Sequence, residues 1–179
     1  MLDDTLSLPI DERYRLIALT PDDVPDVQAL LERSADYSEL VMGLPPGPAE
    51  AQSLYIDLPE GKGYEDKLLL GVFTTERRLV GVFDAIRDYP ELGEWWIGLL
   101  LLEPKQRSQG LGERTYQVFE RWAGTHGAQG IRLAVLEQNT RAERFWRRLG
   151  FEELERKPPR RLGALLSVPI VMRRAVAGA

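Results

Sequence analysis

The chain of 179 residues has no cysteine and one histidine. Disulfides, thiolate metal sites and a cysteine nucleophile are thereby excluded. The histidine, His126, lies in Gly124-Thr125-His126-Gly127, which reads as a solvated surface connection, and no metal site is expected around it. Membrane-spanning apolar runs are also missing, as is a basic start followed by an apolar stretch, so neither a membrane partner nor an export leader is expected and the location reads as cytoplasmic. An excess of positive charge is absent too. The net charge of -5 argues against a nucleic-acid partner, whose footprint would be basic.

What is present is enough for a core. At 179 residues and 44% hydrophobic content, one domain over residues 1–179 is expected. No internal repeat or low-complexity segment interrupts it. The charge is unevenly placed: up to Asp66 there are about fifteen acids against four bases, and from Pro104 onward about seven acids against fifteen bases.

The basic half contains the most informative stretch, Leu102-Glu103-Pro104-Lys105-Gln106-Arg107-Ser108-Gln109-Gly110-Leu111-Gly112. It ends an apolar run and opens a helix. Two glycines around one apolar residue allow a tight turn and leave backbone N–H groups uncovered. The helix start adds its own unpaired N–H groups and the positive end of its dipole. Such a loop holds a phosphate or pyrophosphate, with Arg107 as a charged supplement. A nucleotide P-loop is excluded because Glu113 and Arg114, not Lys and Ser/Thr, follow the last glycine. The dinucleotide fingerprint is excluded because Thr115 occupies its third small position and the loop lies past mid-chain.

A second pattern follows. Ile131 to Val135 reads as a buried strand, and Ala142, Phe145, Trp146 and Leu149 lie at i, i+3, i+4 and i+7, one apolar face of a helix. Asn139 or Thr140 caps its start, and Gly150 closes it before Phe151 opens the next strand. The loop pattern Arg-x-x-Gly-x-Gly and the series Asn139, Ala142, Phe145 and Gly150-Phe151 resemble motifs A and B of the GNAT superfamily of N-acetyltransferases. The resemblance is close over residues 94–153 and is one of layout elsewhere.

The layout is read as follows. Strands are expected at Tyr14–Leu19, Lys67–Thr74, Leu79–Arg87, Glu94–Leu102, Ile131–Val135, Glu152–Lys157 and Ala164–Arg173. Helices are expected after the Thr20-Pro21-Asp22-Asp23 start signal, at Ala49–Leu58, after the Gly110 loop and after Asn139. The order β-α-α-β-β-β-α-β-α-β-β matches the GNAT fold, an α/β arrangement with a mixed, splayed sheet flanked by helices.

The resemblance implies an acetyl-CoA-dependent N-acetyltransferase that acts by direct attack of a primary amine in a ternary complex, without a metal. It implies that coenzyme A enters between two splayed strands. Pantetheine would pair with Leu100, Leu101 and Leu102, and pyrophosphate would sit on the N–H groups of Arg107, Ser108, Gln109, Gly110, Leu111 and Gly112. Asn139, Ala142, Phe145 and Trp146 would face the coenzyme, and Arg141, Arg144, Arg147 and Arg148 could reach its 3′-phosphate. A backbone N–H near Leu100 would polarise the acetyl carbonyl. A small-molecule amine is the expected acceptor, because no basic or extended docking segment for a macromolecule is apparent. The family layout also admits a homodimer through the terminal strands.

Catalytic side chains are less determined. Trp146 stands where the family often places a tyrosine acid, and Tyr37, Tyr55 and Tyr116 are the alternative donors. Asp84, inside an apolar strand, is a candidate base, the competing reading being a salt bridge to an arginine. Glu94 is the other, with Glu137 a minor candidate. Strict alternation puts Glu94, Trp96, Gly98, Leu100 and Leu102 on one face. Trp95 and Trp96, with Asp88, Tyr89 and Glu91, could form an aromatic, acidic acceptor pocket. Rival functions are a non-catalytic acyl-CoA-binding module, which Trp146 favours, and an acyltransferase using a longer chain or a hydroxyl acceptor.

Overall fold

The computed structural model describes residues 6–176. An eight-stranded sheet runs in the order β1-β2-β3-β4-β5-β6-β10-β7. Its strands are β1 (Ser7–Pro9), β2 (Tyr14–Ala18), β3 (Lys67–Thr74), β4 (Leu79–Ile86), β5 (Glu94–Leu102), β6 (Gly130–Leu136), β7 (Glu152–Arg156) and β10 (Pro169–Ala175). A separate hairpin joins β8 (Arg160–Leu162) to β9 (Leu165–Ser167). Every pairing in the large sheet is antiparallel except β5 with β6.

Two cores cover the two faces of this sheet. On one face, α4 (Leu111–Thr125) and α5 (Thr140–Arg148) pack over β4, β5 and β6. Leu111, Tyr116, Phe119 and Ala123 repeat at helical spacing and are fully buried. The Phe119 ring lies 4.4 Å from that of Phe83. On the other face, α1 (Val24–Arg33), α2 (Ala35–Met42) and α3 (Glu50–Ile56) surround a smaller core built on Val27, Leu30, Leu69, Val82 and Leu101. No helix among the described residues is long and apolar enough to cross a membrane.

The structure departs from the sequence reading in four places. β1 is an added edge strand. The first helical segment divides at Ser34, whose φ of −112° and ψ of 27° interrupt the helix, so α2 is a separate element ending on left-handed Gly43. The expected final strand, Ala164–Arg173, also divides, at Val168: its first part, β9, is turned by Gly163, with φ of 55°, onto the added strand β8, and only Pro169–Ala175 joins the large sheet.

The fourth departure matters most. Asp84 pairs with Leu99 but Ala85 pairs with Ile97, so Gly98 is an extra residue on β5. This bulge reverses the alternation. Trp95, Ile97, Leu100 and Leu102 therefore share the α4–α5 core, while Leu99 and Leu101 face α1 and α3. Leu100 does not share a face with Trp96, as strict alternation would require.

Candidate active site

β5 and β6 run side by side only from Glu94–Ile97 and Gly130–Leu133. Beyond that point β5 keeps β4 as its partner and β6 keeps β10. The strands separate and leave one edge of Gly98–Leu102 without a strand. At its end the Glu103 N–H donates to Val80 O at 2.9 Å, toward β4. Alternation then turns the N–H groups of Leu102 and Leu100 to the free edge.

The loop following β5 is folded to expose donors. Ser108 and Gly110 have φ of 62° and 74°, the left-handed conformation that glycine adopts without a steric cost. Gly110 is the N-cap of α4, so the N–H groups of Leu111, Gly112 and Glu113 belong to the unpaired first turn. Those of Ser108, Gln109 and Gly110 also have no acceptor among the described residues. The loop is fixed from behind: Tyr14 Oη donates to Gln106 Oε1 at 2.8 Å, and Arg114 Nε donates to Asp11 Oδ2 at 3.1 Å.

Arg107 has a different role from the one its position suggested. Its Nε donates to Leu102 O at 2.7 Å, and its two terminal nitrogens pair with the Asp36 carboxylate of α2. Those hydrogen bonds hold the Asp36 carboxyl below the ordinary aspartate range. The side chain therefore ties together the end of β5, the loop and α2, and its charge is already matched. Unmatched charge comes from α5: Arg141, Arg144 and Arg148 line the cleft and form no salt bridge among the described residues, and Arg141 Nη2 also donates to Ser108 Oγ at 2.9 Å. Arg147, one turn away, pairs with Glu143 and Glu153 and does not line it.

The result is a cleft of about 670 Å³ between β5, the loop, α5 and α2, within the range of small-molecule sites. Leu100, Leu101, Leu102, Arg107, Ser108, Gly110, Gly112, Asn139, Ala142, Phe145 and Trp146 all line it. Asn139 caps α5 through Oδ1, which accepts from the Ala142 N–H at 3.1 Å, so its amide nitrogen stays available as a donor. Trp146 is held edge-on by Tyr116, Phe145 and Phe151. Gln109 and Leu111 do not line the cleft with their side chains: Gln109 folds back to Lys105 O, and Leu111 is core. Asp36, Tyr37, Leu40 and Glu113 complete the wall. Of these Asp36, Leu40 and Glu113 escaped the sequence reading: nothing local marks a helix that returns from distant residues, and Glu113 reads only as part of the wet face of α4.

Asp84 and Glu94 lie outside this cleft and differ from each other. Glu94 is buried and paired with Arg132 at 2.7 Å and Arg173 at 2.6 Å. Burial raises its carboxyl, but the hydrogen bonds from Arg173 and Arg132 outweigh that and hold it below the ordinary glutamate range. Asp84 is paired on one oxygen only: Lys67 Nζ donates to Oδ1 at 2.9 Å and to Asp57 O at 3.0 Å. Its partner is thus a lysine, not an arginine. Lys67 and Asp84 lie diagonally on one face of the β3–β4 ladder, since Lys67 faces Ile86 and Leu69 faces Asp84. Burial pushes the Asp84 carboxyl up by more than Lys67 pulls it down. The second oxygen, Oδ2, lies over the bulge; a Cβ on residue 98 would come within 2.5 Å of it, so Gly98 leaves that carboxylate oxygen clear.

Other candidates fall away. Trp95 is core, against Phe119 and Trp122. Asp88 accepts from the Gly93 N–H and Glu91 pairs with Arg132, so these two acids are engaged in a turn and an ion pair. His126 is exposed and stacks on Trp122, and Glu137 is exposed outside the cleft. Tyr116 donates to Glu120 and Tyr55 to Thr20 O. Tyr37 alone of the three lines the cleft, its hydroxyl unpartnered among the described residues. Burial pushes that hydroxyl up, which makes it a donor at working pH and not a base. Among the described residues no group of three or more acidic, histidine or cysteine side chains could hold a metal.

Comparison with known proteins agrees with this geometry. The profile of the acetyltransferase (GNAT) family matches residues 32–151. The chain belongs to that family and is an N-acetyltransferase. No curated relative matches it. Among solved structures it is similar to an acetyltransferase from Thermus thermophilus, at 23% identity over 90% of this chain and 96% of that one, with a TM-score of 0.74. The ribosomal-protein-S18-alanine N-acetyltransferase of Escherichia coli matches at 17% identity, 93% and 96% coverage and a TM-score of 0.68. An acetyl transferase of Salmonella typhimurium that modifies the N-terminal serine of ribosomal protein L7/L12 matches at 14% identity, 96% and 100% coverage and 0.78. These likenesses define the fold.

Proposed function

We propose that the cleft binds acetyl-CoA and that the enzyme transfers its acetyl group to a primary amine on a small molecule. The observation that carries this reading is the free edge of β5 leading directly into a loop of uncovered N–H groups. The residues fit the group. Unpaired donors of Ser108–Glu113 suit a pyrophosphate. The Leu100 and Leu102 edge suits the amides of pantetheine, as an added strand would. Arg141, Arg144 and Arg148 suit a further phosphate, and the Asn139 amide nitrogen is a donor beside the chain.

When bound, acetyl-CoA supplies a thioester carbonyl that an amine attacks, forming the C–N bond and releasing the thiol. Asp84 takes a proton from the acceptor ammonium through its free Oδ2, directly or through water, so that the neutral amine can attack. Its raised pKa keeps it a competent acceptor rather than a fixed counter-ion, and Lys67 holds its orientation. The Leu100 N–H donates toward the oxygen on which negative charge develops. Neither Trp146 nor the raised Tyr37 is a strong acid, and none is required for a thiolate whose conjugate acid has a pKa of about 8.5. Glu94 has no part in the chemistry; its two arginines keep it a structural anion.

Titration calorimetry of acetyl-CoA against the wild type and Gly110→Trp tests the reading. A tryptophan there fills the N–H cradle at a left-handed position. The expected outcome is wild-type binding that the variant, folded by circular dichroism, loses by about 100-fold or more. Absence of binding to folded wild type contradicts the reading. Binding with no amine accepted identifies the non-catalytic module instead.

A further inference from the structure

A second, smaller pocket of about 50 Å³ adjoins the cleft behind α2. Tyr37 and Leu101 border both, so the pocket and the cleft share a wall. Leu31, Val41, Leu54 and Leu99 make it mainly apolar. Its floor bears on the chemistry, because Leu99 is the cross-strand partner of Asp84 and directly opposite residues share a face of the sheet. A group seated in this slot is therefore on the same side of β5 as the carboxylate.

One polar atom in the wall is out of place. Ser34 lines the slot, is 1% exposed, and its hydroxyl has no hydrogen-bond partner among the described residues. It stands at the break between α1 and α2, where φ and ψ leave the helix. A buried hydroxyl without a partner is costly, and a ligand that pairs with it recovers that cost. Glu50 also borders the slot and has no salt-bridge partner among the described residues. It offers negative charge to a cationic amine.

We propose that the slot receives the substituent of the acceptor amine, and that Ser34 is the specificity-determining residue, favouring a short substituent that carries a hydroxyl. The volume is that of roughly two water molecules, room for a hydroxymethyl or hydroxyethyl group and not for an aromatic ring. This rests on the acetyl-transfer reading above. The same chemistry occurs in a free amino alcohol and in the amino-terminal serine of a peptide. α2 and the Gly43–Ala49 turn border the slot through Ser38, Val41, Met42 and Pro46, and the two sources differ only in what lies outside it.

The test compares 2-aminoethanol, propylamine, phenethylamine and a serine-initiated tetrapeptide as acceptors for the wild type, Ser34→Ala and Leu54→Trp. Binding of each amine by saturation-transfer NMR in the presence of coenzyme A gives a readout independent of turnover. The expected result is a wild-type preference for 2-aminoethanol over propylamine of about tenfold in kcat/KM, carried by KM. Ser34→Ala abolishes that preference by lowering kcat/KM for 2-aminoethanol far more than for propylamine, and Leu54→Trp weakens every short amine without altering acetyl-CoA binding. Comparable use of the tetrapeptide assigns the peptide source, and its rejection the free amino alcohol. Equal loss for all amines in Ser34→Ala, or wild-type preference for phenethylamine, overturns the slot assignment. Amine binding that depends on Ser34 with no turnover leaves the slot standing and contradicts the transfer reading instead.

Discussion

The two halves of β5, Glu-Trp-Trp-Ile and Gly-Leu-Leu-Leu-Leu, are both rich in large apolar residues and have opposite roles. At Trp96 and Ile97 the strand is paired on both edges, Glu94 and Trp95 pair with β6, and the one acid of this half is neutralised by Arg132 and Arg173. From Gly98 to Leu102 it is paired on one edge only, with the bulge at Gly98 as the divide. A fully paired strand has no donors to spare, so the first half is structure. The second half is apolar in sequence yet presents backbone N–H groups, and the acid across from it, Asp84, is satisfied on one oxygen. The proposed chemistry gathers where pairing is left incomplete.

Substitutions on each side of the divide separate the halves. Asp84→Asn is expected to lower kcat by about 100-fold or more with unchanged acetyl-CoA affinity, measured by steady-state kinetics and calorimetry. Because burial raises the Asp84 carboxyl against the pull of Lys67, the basic form accumulates above the ordinary aspartate range, and kcat should rise with pH through that limb. Lys67→Met removes the lowering partner and should move the limb to higher pH still.

On the paired side, Glu94→Gln should leave kcat per folded molecule unchanged and lower stability by roughly 2 kcal/mol, since the half-buried Arg173 loses its counter-ion and Arg132 keeps only Glu91. The sign is fixed by the depressed Glu94 pKa: its contribution is present above the unfolded glutamate value of about 4.3 and is lost as pH falls through the folded value. Urea midpoints at pH 7 and pH 3 should therefore differ less in the variant than in the wild type. The smallest effect sharpens the picture at α5. Arg144→Ala and Arg148→Ala should each weaken acetyl-CoA binding by about 3–10-fold at low salt, and less at high salt. Arg147→Ala, whose guanidinium points to Glu143 and Glu153, should not.

The regions legible in the sequence are those whose structure is set locally. The Gly110 loop, the α4 and α5 faces and the Asn139 cap follow from glycine conformation, helical period and side-chain capping within a few residues. The bulge was not legible, because Gly98 adds one residue to a ladder whose register depends on β4. The break at Ser34 has no glycine or proline to announce it, and β8, at Arg160–Leu162, is strand only because β9 folds back on it. Arg107 illustrates the remaining gap. Its position pointed to phosphate, but its partner, Asp36, lies 71 residues away, and only the folded chain brings the two together.

Hydrogen exchange of the β5 amides, followed by NMR with and without acetyl-CoA, tests the central claim most directly. The free-edge account predicts that Leu100 and Leu102 exchange rapidly in the free enzyme and gain protection when acetyl-CoA binds, while Trp95 and Ile97 stay protected throughout. Binding that leaves Leu100 and Leu102 unchanged, or that alters the Glu94–Ile97 half instead, would contradict it.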